Sequence, residues 1–310
     1  MDNYPTTMTD FECRFSDEAS CLDYLAEIRW PDGVLCVHCG GAKLWRAGQL
    51  YVCGHCKGHT RIMAGTIFQD THLPLQLWFR AIWWVVTQKN GTSALGLKRV
   101  LGLSYKTTWS LLHKIRRAMV RPERSRLSGR IEVDEVYVGG LEEGVHGRQT
   151  ATKAMVLIAV QEDGTKMGRI RMRRTESASG ANLLSFIEDN IDPGSLVHTD
   201  GWRGYSGVKE KGYQHDVSIL KECGPEALPR VHLVASLLKR WMLGTHQGAI
   251  SIAHLEYYLD EFVFRFNRRT SKSRGKLFLR LIEQAVQTQP VPFSKITKHS
   301  RQYKTAKKTR

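Results

Sequence analysis

A mixed α/β core preceded by two smaller modules is the architecture encoded in these 310 residues, and three features carry that reading. From residue 131 onward, short β-branched runs alternate with helical periodicities. Near the amino end lie two Cys-x-x-Cys pairs. Between those pairs and the core lie two helical stretches joined by a glycine turn. At roughly 100–200 residues per domain, the length accommodates two or three domains.

The first module begins with helical spacing over residues 15–29, which stops at the turn signal Trp30-Pro31-Asp32-Gly33. Cys36 and Cys39 form one cysteine pair, and Cys53 and Cys56 form the second after thirteen intervening residues. This spacing reads as a zinc ribbon over about residues 34–60, because each short knuckle brings two thiolates onto one tetrahedral Zn²⁺. The competing reading is four free thiols or a redox pair, and a redox site needs only one pair. His38 and His55 sit inside the knuckles as alternative ligands, although four thiolates already complete the shell. Cys13, Cys21 and Cys223 have no partner at ligand spacing and read as structural thiols.

The second module is helical. Leu77, Trp78, Ala81, Trp84 and Val85 share one stripe of a helix over 75–88, with Pro74 at its start, and its tryptophans are expected in a core. Two further helices, 94–101 and 105–119, flank the tight turn Gly102-Leu103-Ser104 in a helix-turn-helix pattern. In that motif the amino-terminal residues of the second helix reach base edges, which nominates Tyr105, Lys106, Thr107 and Thr108. An ordinary helical hairpin is the alternative. Lys114, Arg116, Arg117, Arg121, Arg124 and Arg126 then form a basic stretch suited to phosphates, with Pro122 breaking the helix.

The core is expected to hold strands over 131–138, 154–160, 167–173, 195–199 and 215–219. Helices are expected over 178–190, 228–243 and 254–267, and beyond the core, within a basic tail, a further short one over 277–285. The run 154–160 is apolar throughout, as a strand buried on both faces must be. Within strand 131–138 one acid, Asp134, interrupts Ile131, Val133, Val136 and Val138, and Asp200 ends the strand 195–199. Acids in such places are costly unless paired, hydrogen-bonded or bound to a cation. Two carboxylates from adjacent strands repel each other, and a divalent metal removes the conflict. Glu132 and Glu135 flank Asp134, and spacing alone leaves them open.

Composition sets the class of partner. Lys and Arg number 46 against 30 acids, for a formal charge of +16. A surplus of this size predicts a polyanionic partner, with nucleic acid the first choice. In a basic protein, metal-bound acids suggest phosphoryl chemistry in which two cations activate a nucleophile and stabilise the leaving oxygen. Hydrophobic residues at 42% and charged residues at 25% exclude a disordered or fibrous chain. No apolar run approaches the roughly 18 residues of a membrane span. Residues 1–10 carry acids and no basic n-region, so a cytoplasmic, nucleoid-associated location is expected.

Four segments carry a family resemblance: IEVDEVYVGG at 131–140, HTDGWRGY at 198–205, LLKRWMLGTH at 237–246 and YLDEFVFRFNRR at 258–269. Together they closely resemble the insertion-sequence transposases of family 1595, similar to the wider DDE group. The resemblance covers nearly the whole chain, since that family also carries an amino-terminal zinc ribbon and a helix-turn-helix. It implies a ribonuclease-H-like catalytic core that cuts DNA 3′ ends and joins them to target DNA, using Mg²⁺ or Mn²⁺. Asp134 matches the first catalytic aspartate and Asp200 the second. The third position lies seven residues before a lysine that Lys239 matches, which makes it His232.

Here the chain departs from the Asp-Asp-Glu pattern, although members with Glu, Asn or His at this place are known. Imidazole suits softer ions than Mg²⁺, so His232 is expected to ligate weakly, hold a water or carry a proton. Seven residues is about two helical turns, which places His232 and Lys239 on one face. Lys239 and Arg240 are then expected at DNA phosphates, the alternative being a solvated basic face. Glu226, Glu256 and Glu261 are rival third carboxylates, with Glu261 more simply paired to its arginine neighbours.

The implied partners are double-stranded DNA, as inverted repeats and target, and a second copy of the chain, since two ends are cut together. The expected division is 1–68 for the amino-terminal helix and ribbon, 69–127 for the helical DNA-binding region, 128–270 for the core and 271–310 for a basic tail. A non-catalytic DNA-binding regulator or an inactive transposase copy is the alternative function.

Overall fold

The computed structural model describes residues 3–121, 123–139, 153–219 and 227–298. Cys223, Glu226 and the tail beyond 298 lie outside the described residues. The chain separates into two units, one running to Arg121 and including Ser271–Lys298, the other lying between.

The first unit opens with α1 (Met8–Arg14) and α2 (Glu18–Arg29). The helical spacing from residue 15 becomes a helix only at Glu18, because Asp17 and Ser20 form a reciprocal capping box that sets the start. β1 (Leu44–Ala47), β2 (Leu50–Cys53) and β3 (His59–Arg61) make an antiparallel three-stranded sheet. Then come α3 (Leu75–Thr87), α4 (Ala94–Leu101) and α5 (Tyr105–Ala118). Gly102 closes α4 in the left-handed region at φ 67°, and Ser104 caps α5 by accepting from Thr107 N. The turn between α4 and α5 is therefore built as its residues require.

The last part of this unit is helical. The short helix expected over 277–285 within the basic tail is present and longer, as α9 (Arg274–Gln287), and α10 (Phe293–Lys298) follows. Phe278 of α9 is fully buried against Phe11, Phe15, Tyr24, Phe79 and Trp83, with ring centroids 5.6–6.3 Å away. The basic residues of this stretch mask an apolar face of Leu277, Phe278, Leu281, Ile282 and Ala285 that the amino-terminal aromatics cover.

The second unit is a five-stranded sheet with helices on both faces. Its strands are β4 (Arg130–Val138), β5 (Ala154–Asp163), β6 (Lys166–Thr175), β7 (Leu196–Thr199) and β8 (Gln214–Val217). Their spatial order is β6-β5-β4-β7-β8. The first three are antiparallel to one another, while β7 and β8 run parallel to β4. This is the ribonuclease-H-like arrangement.

Alternation along each strand divides the core. Ile131, Val133, Met155, Leu157 and Ala159 pack with Leu183, Phe186 and Ile187 of α6 (Gly180–Asn190) and with Tyr205 and Val208 of a 3-10 helix (Arg203–Lys211). On the other face Val138, Val156, Ile158 and Val160 pack with Val231, Val234 and Leu238 of α7 (Pro229–His246). Leu259, Phe262 and Phe266 of α8 (Leu255–Phe266) complete that layer. At about 25 cal/mol per Å² of apolar surface removed from water, these two layers are the main stabilising term of the unit.

Candidate active site and metal centre

Pleat parity decides which acid of β4 does what. Residues 131 and 133 face α6, so 132 and 134 face α7 and 135 faces back toward the 3-10 helix. Asp134 meets α7 there: its Oδ2 lies 3.5 Å from His232 Nε2. Its Oδ1 accepts from the Glu135 backbone N–H at 2.8 Å. Glu135 accepts a hydrogen bond from the fully buried Tyr205 hydroxyl at 3.0 Å, on the opposite face. Glu132 is sealed in at 1% exposure and bonded to the start of α7. Asp134 and the two acids that flank it, Glu132 and Glu135, thus have three different partners.

Asp200 follows β7, the parallel neighbour of β4. The parallel pairing runs to Glu132 and His198, and Asp134 and Asp200 each follow two residues later in sequence, Asp200 just beyond the end of β7. A tight turn holds Asp200: its Oδ1 accepts from Trp202 N at 3.0 Å, and its carbonyl accepts from Thr199 Oγ1 at 2.8 Å. The Trp202 indole donates to Ala178 O at 3.0 Å, anchoring the turn to the α6 side. Gly204 is required beside it, because a Cβ there would stand 2.6 Å from Trp202 Nε1 and 2.7 Å from Leu183 Cδ1. Burial pushes the Tyr205 hydroxyl well above its ordinary range, and the charges of Glu135, Asp134 and Asp200 add to that shift. The charges of all three carboxylates therefore act on one buried phenol.

His232 and Lys239 lie two turns apart on α7. Lys239 and Arg240 are exposed. Lys239 lines a cavity of about 240 Å³ with Val138, Gly139, Leu243 and Ile250. The rival acids Glu256 and Glu261 are buried on α8, which packs on β6, two strands from β4. Glu261 accepts from Arg265 Nε at 2.8 Å.

On α5, Tyr105 and Lys106 are exposed, and Lys106 Nζ sits 4.8 Å from the centre of the Phe293 ring. Thr107 serves the helix cap through Ser104 Oγ at 2.9 Å. Thr108 corrects the expectation of a base contact. It is fully buried and its hydroxyl donates to Ser104 O, since position 108 falls on the inward stripe with Leu111, Leu112 and Ile115.

In the ribbon, Cys36 Sγ stands 3.5 Å from Cys56 Sγ and Cys39 Sγ 3.6 Å from Cys53 Sγ, with all four sulfurs within 4.8 Å. Ligands about 2.3 Å from a tetrahedral ion stand about 3.8 Å from one another, so this donor set fits zinc. Backbone N–H groups of Cys56 and His55 hold the Cys53 thiol down at about 6. The Gly41 N–H also pulls on Cys39, yet its neighbours Cys56 and Cys53 push it up to about 12. Thiols this close cannot all ionise unless a cation neutralises them, which a ribbon metal does. Among the described residues, neither His38 nor His55 joins this cluster.

Residues 126–267 match the ISXO2-like transposase domain, and residues 16–59 match the transposase zinc-ribbon domain. The chain belongs to insertion-sequence transposase family 1595. This transposase chain is 28% identical over 292 residues to an uncharacterized protein in transposable element ISH50 of Halobacterium salinarum, covering 86% of this chain and 96% of the relative. Among solved structures it is similar to a Mos1 transposase paired-end complex with the left transposon end and to a Mos1 mariner paired-end complex with Mn. Both have a TM-score of 0.29, at 12% and 11% identity, covering 67% of this chain and 75% of each neighbour.

Sequence reasoning left Glu132 without a task. The signal that finds it is an absence at the other end: α7 starts at Leu228-Pro229 with no side chain of its own to cap it.

Proposed function

We propose that this family 1595 chain binds the terminal inverted repeats of an insertion sequence, cleaves DNA 3′ ends and transfers them to target DNA. The observation that carries the reading is the contact of Asp134 with His232 at 3.5 Å, on the strand that pairs in parallel with β7, the strand Asp200 follows.

Two carboxylates from adjacent strands, with an imidazole beside one of them, are a donor set for a hard divalent ion, and the nitrogen suits Mn²⁺ as well as Mg²⁺. Asp134 and Asp200 would hold the metal, which when bound activates a water or a 3′-hydroxyl and stabilises the leaving oxygen. His232 stands where it can orient Asp134 and move a proton at Nε2. Lys239, two turns along the same helix, and its neighbour Arg240 supply exposed cations for the phosphates that flank the scissile bond. The freed 3′-hydroxyl is the second nucleophile, so no covalent protein–DNA intermediate is needed. Tyr105 and Lys106, at the start of α5, are the residues of that helix exposed to read a DNA groove. Cutting two ends together calls for at least two copies of the chain.

The test is cleavage of a labelled inverted-repeat duplex with Mg²⁺ or Mn²⁺ by wild type, Asp134→Ala and Asp200→Ala. Cleavage by wild type and its loss in both variants is expected, with duplex binding retained. Equal cleavage by all three proteins rejects the site. Binding without cleavage by wild type assigns the chain to a DNA-binding regulator or an inactive copy.

A further inference from the structure

We infer that Glu132 is a positioning residue, one that caps α7 from the neighbouring strand and thereby sets His232 against Asp134. The inference rests on the function proposed above for Asp134 and His232.

α7 begins without a side-chain cap of its own. A helix leaves its first N–H groups without partners, and most helices satisfy one of them with a Ser, Thr, Asp or Asn at the cap. α7 has Leu228 at that place and makes no side-chain cap bond. Its first N–H groups go instead to a residue 98 positions away in sequence. Glu132 Oε2 accepts from Arg230 N at 2.8 Å and from Val231 N at 2.9 Å. Glu132 Oε1 accepts from Arg230 Nη1 at 3.0 Å. The carboxyl group is 1% exposed, so these donors, together with the positive end of the helix dipole, replace its water.

The geometry makes this more than an anchor. Glu132 and Asp134 are alternate residues of β4 on one face, and Val231 and His232 are consecutive residues of α7. A single strand-to-helix clamp therefore fixes the first turn of α7 one residue from the imidazole that meets Asp134 at 3.5 Å. Arg230 extends the clamp across the sheet, reaching Glu162 Oε1 of β5 at 3.1 Å. Glu162 also accepts from Arg130 at 3.1 Å, and Arg130 reaches Asp216 of β8 at 2.9 Å. The start of α7 is thus tied to β4 directly and to β5 and β8 through arginines. A displacement of about 1 Å in a reacting group costs about 100-fold in rate, so loosening this turn should appear in turnover before it appears in binding.

The experiment compares Glu132→Ala, Glu132→Gln and a control, Val234→Ala, which removes buried volume from the same helix without touching the clamp. On a labelled inverted-repeat duplex with Mn²⁺, Glu132→Ala should lower kcat by about 10- to 100-fold with the duplex Kd unchanged. Glu132→Gln, which keeps an oxygen for the two backbone N–H groups, should recover part of that loss. Val234→Ala should lower Tm while holding kcat. Independently of turnover, ring ¹H–¹⁵N spectra of histidine-labelled protein should show the His232 resonance displaced in Glu132→Ala and unmoved in Val234→Ala. A His232 resonance unmoved in Glu132→Ala, or an equal loss of kcat in Val234→Ala, overturns the positioning role. If wild type itself fails to cleave, the transposition reading fails, and the resonance comparison still decides the role of Glu132.

Discussion

Single side chains in this protein are assigned by which way they face more than by what they are. Three acids in four residues of β4 have three fates: Glu132 caps a helix, Asp134 meets His232, and Glu135 accepts from Tyr205. The four ribbon cysteines show the opposite case, where residue type and spacing already state the chemistry. Their sulfurs converge at tetrahedral separations, and Gly58 is needed in the second knuckle because a Cβ there would run into His38 and Cys56. Purified protein should carry about one zinc per chain, and Cys53→Ser should lose it along with thermal stability, as metal analysis and a melting curve would report. An unchanged metal content in that variant would reject the ribbon.

At the level of helices and strands, two helices begin without a cap of their own and borrow a glutamate from elsewhere. α7 takes Glu132, and α3, which follows Pro74, takes Glu18, whose carboxyl oxygens accept from Leu75 N at 2.9 Å and Gln76 N at 3.3 Å. Neither bond was legible in the sequence, because local cap rules look only one residue ahead of a helix. α9 teaches a related lesson. Its amphipathic face is visible in Leu277, Phe278, Leu281 and Ile282, which predicts a short helix, but the amino-terminal aromatics that cover Phe278 lie about 200 residues or more away in sequence and only the fold brings them there. Phe278→Ala should cost about 3–5 kcal/mol of unfolding free energy, the range for emptying a large aromatic site. Ending the chain at Thr270 should unfold the amino-terminal unit outright. Thermal melts and near-UV spectra would check both, and a truncated chain with an unchanged melt would show that α9 is dispensable.

For the chain taken together, charge is the dominant variable. A surplus of 16 positive charges predicts that duplex binding weakens steeply with salt, since each phosphate neutralised releases counterions. If Lys239 meets one phosphate, Lys239→Ala should reduce the slope of log K against log[salt] by about 0.9, measured by fluorescence titration over a salt series. A slope equal to wild type would return Lys239 to a solvated helix face. Among the described residues, no helix is long and apolar enough to cross a membrane, in keeping with the absence of long apolar runs.

Local patterns were enough for most elements, since hydrophobic period and turn residues act over a few positions. The buried strand β5, the Gly102 turn, the cysteine knuckles and the acid in β4 all belong to that class. Thr108 was misjudged by the same local logic, because its place on a helix start looked outward and only packing turned it in. Asp134 and Asp200 could be named from motifs, but the parallel pairing of β4 with β7, the strands that carry or precede them, is something no spacing of 66 residues encodes. The contact of His232 with Asp134 and the service of Glu132 to α7 likewise join residues about 98 apart. Such pairs form only when the sheet order is settled, because burial of both its faces, acting over the whole core, selects which strands become neighbours.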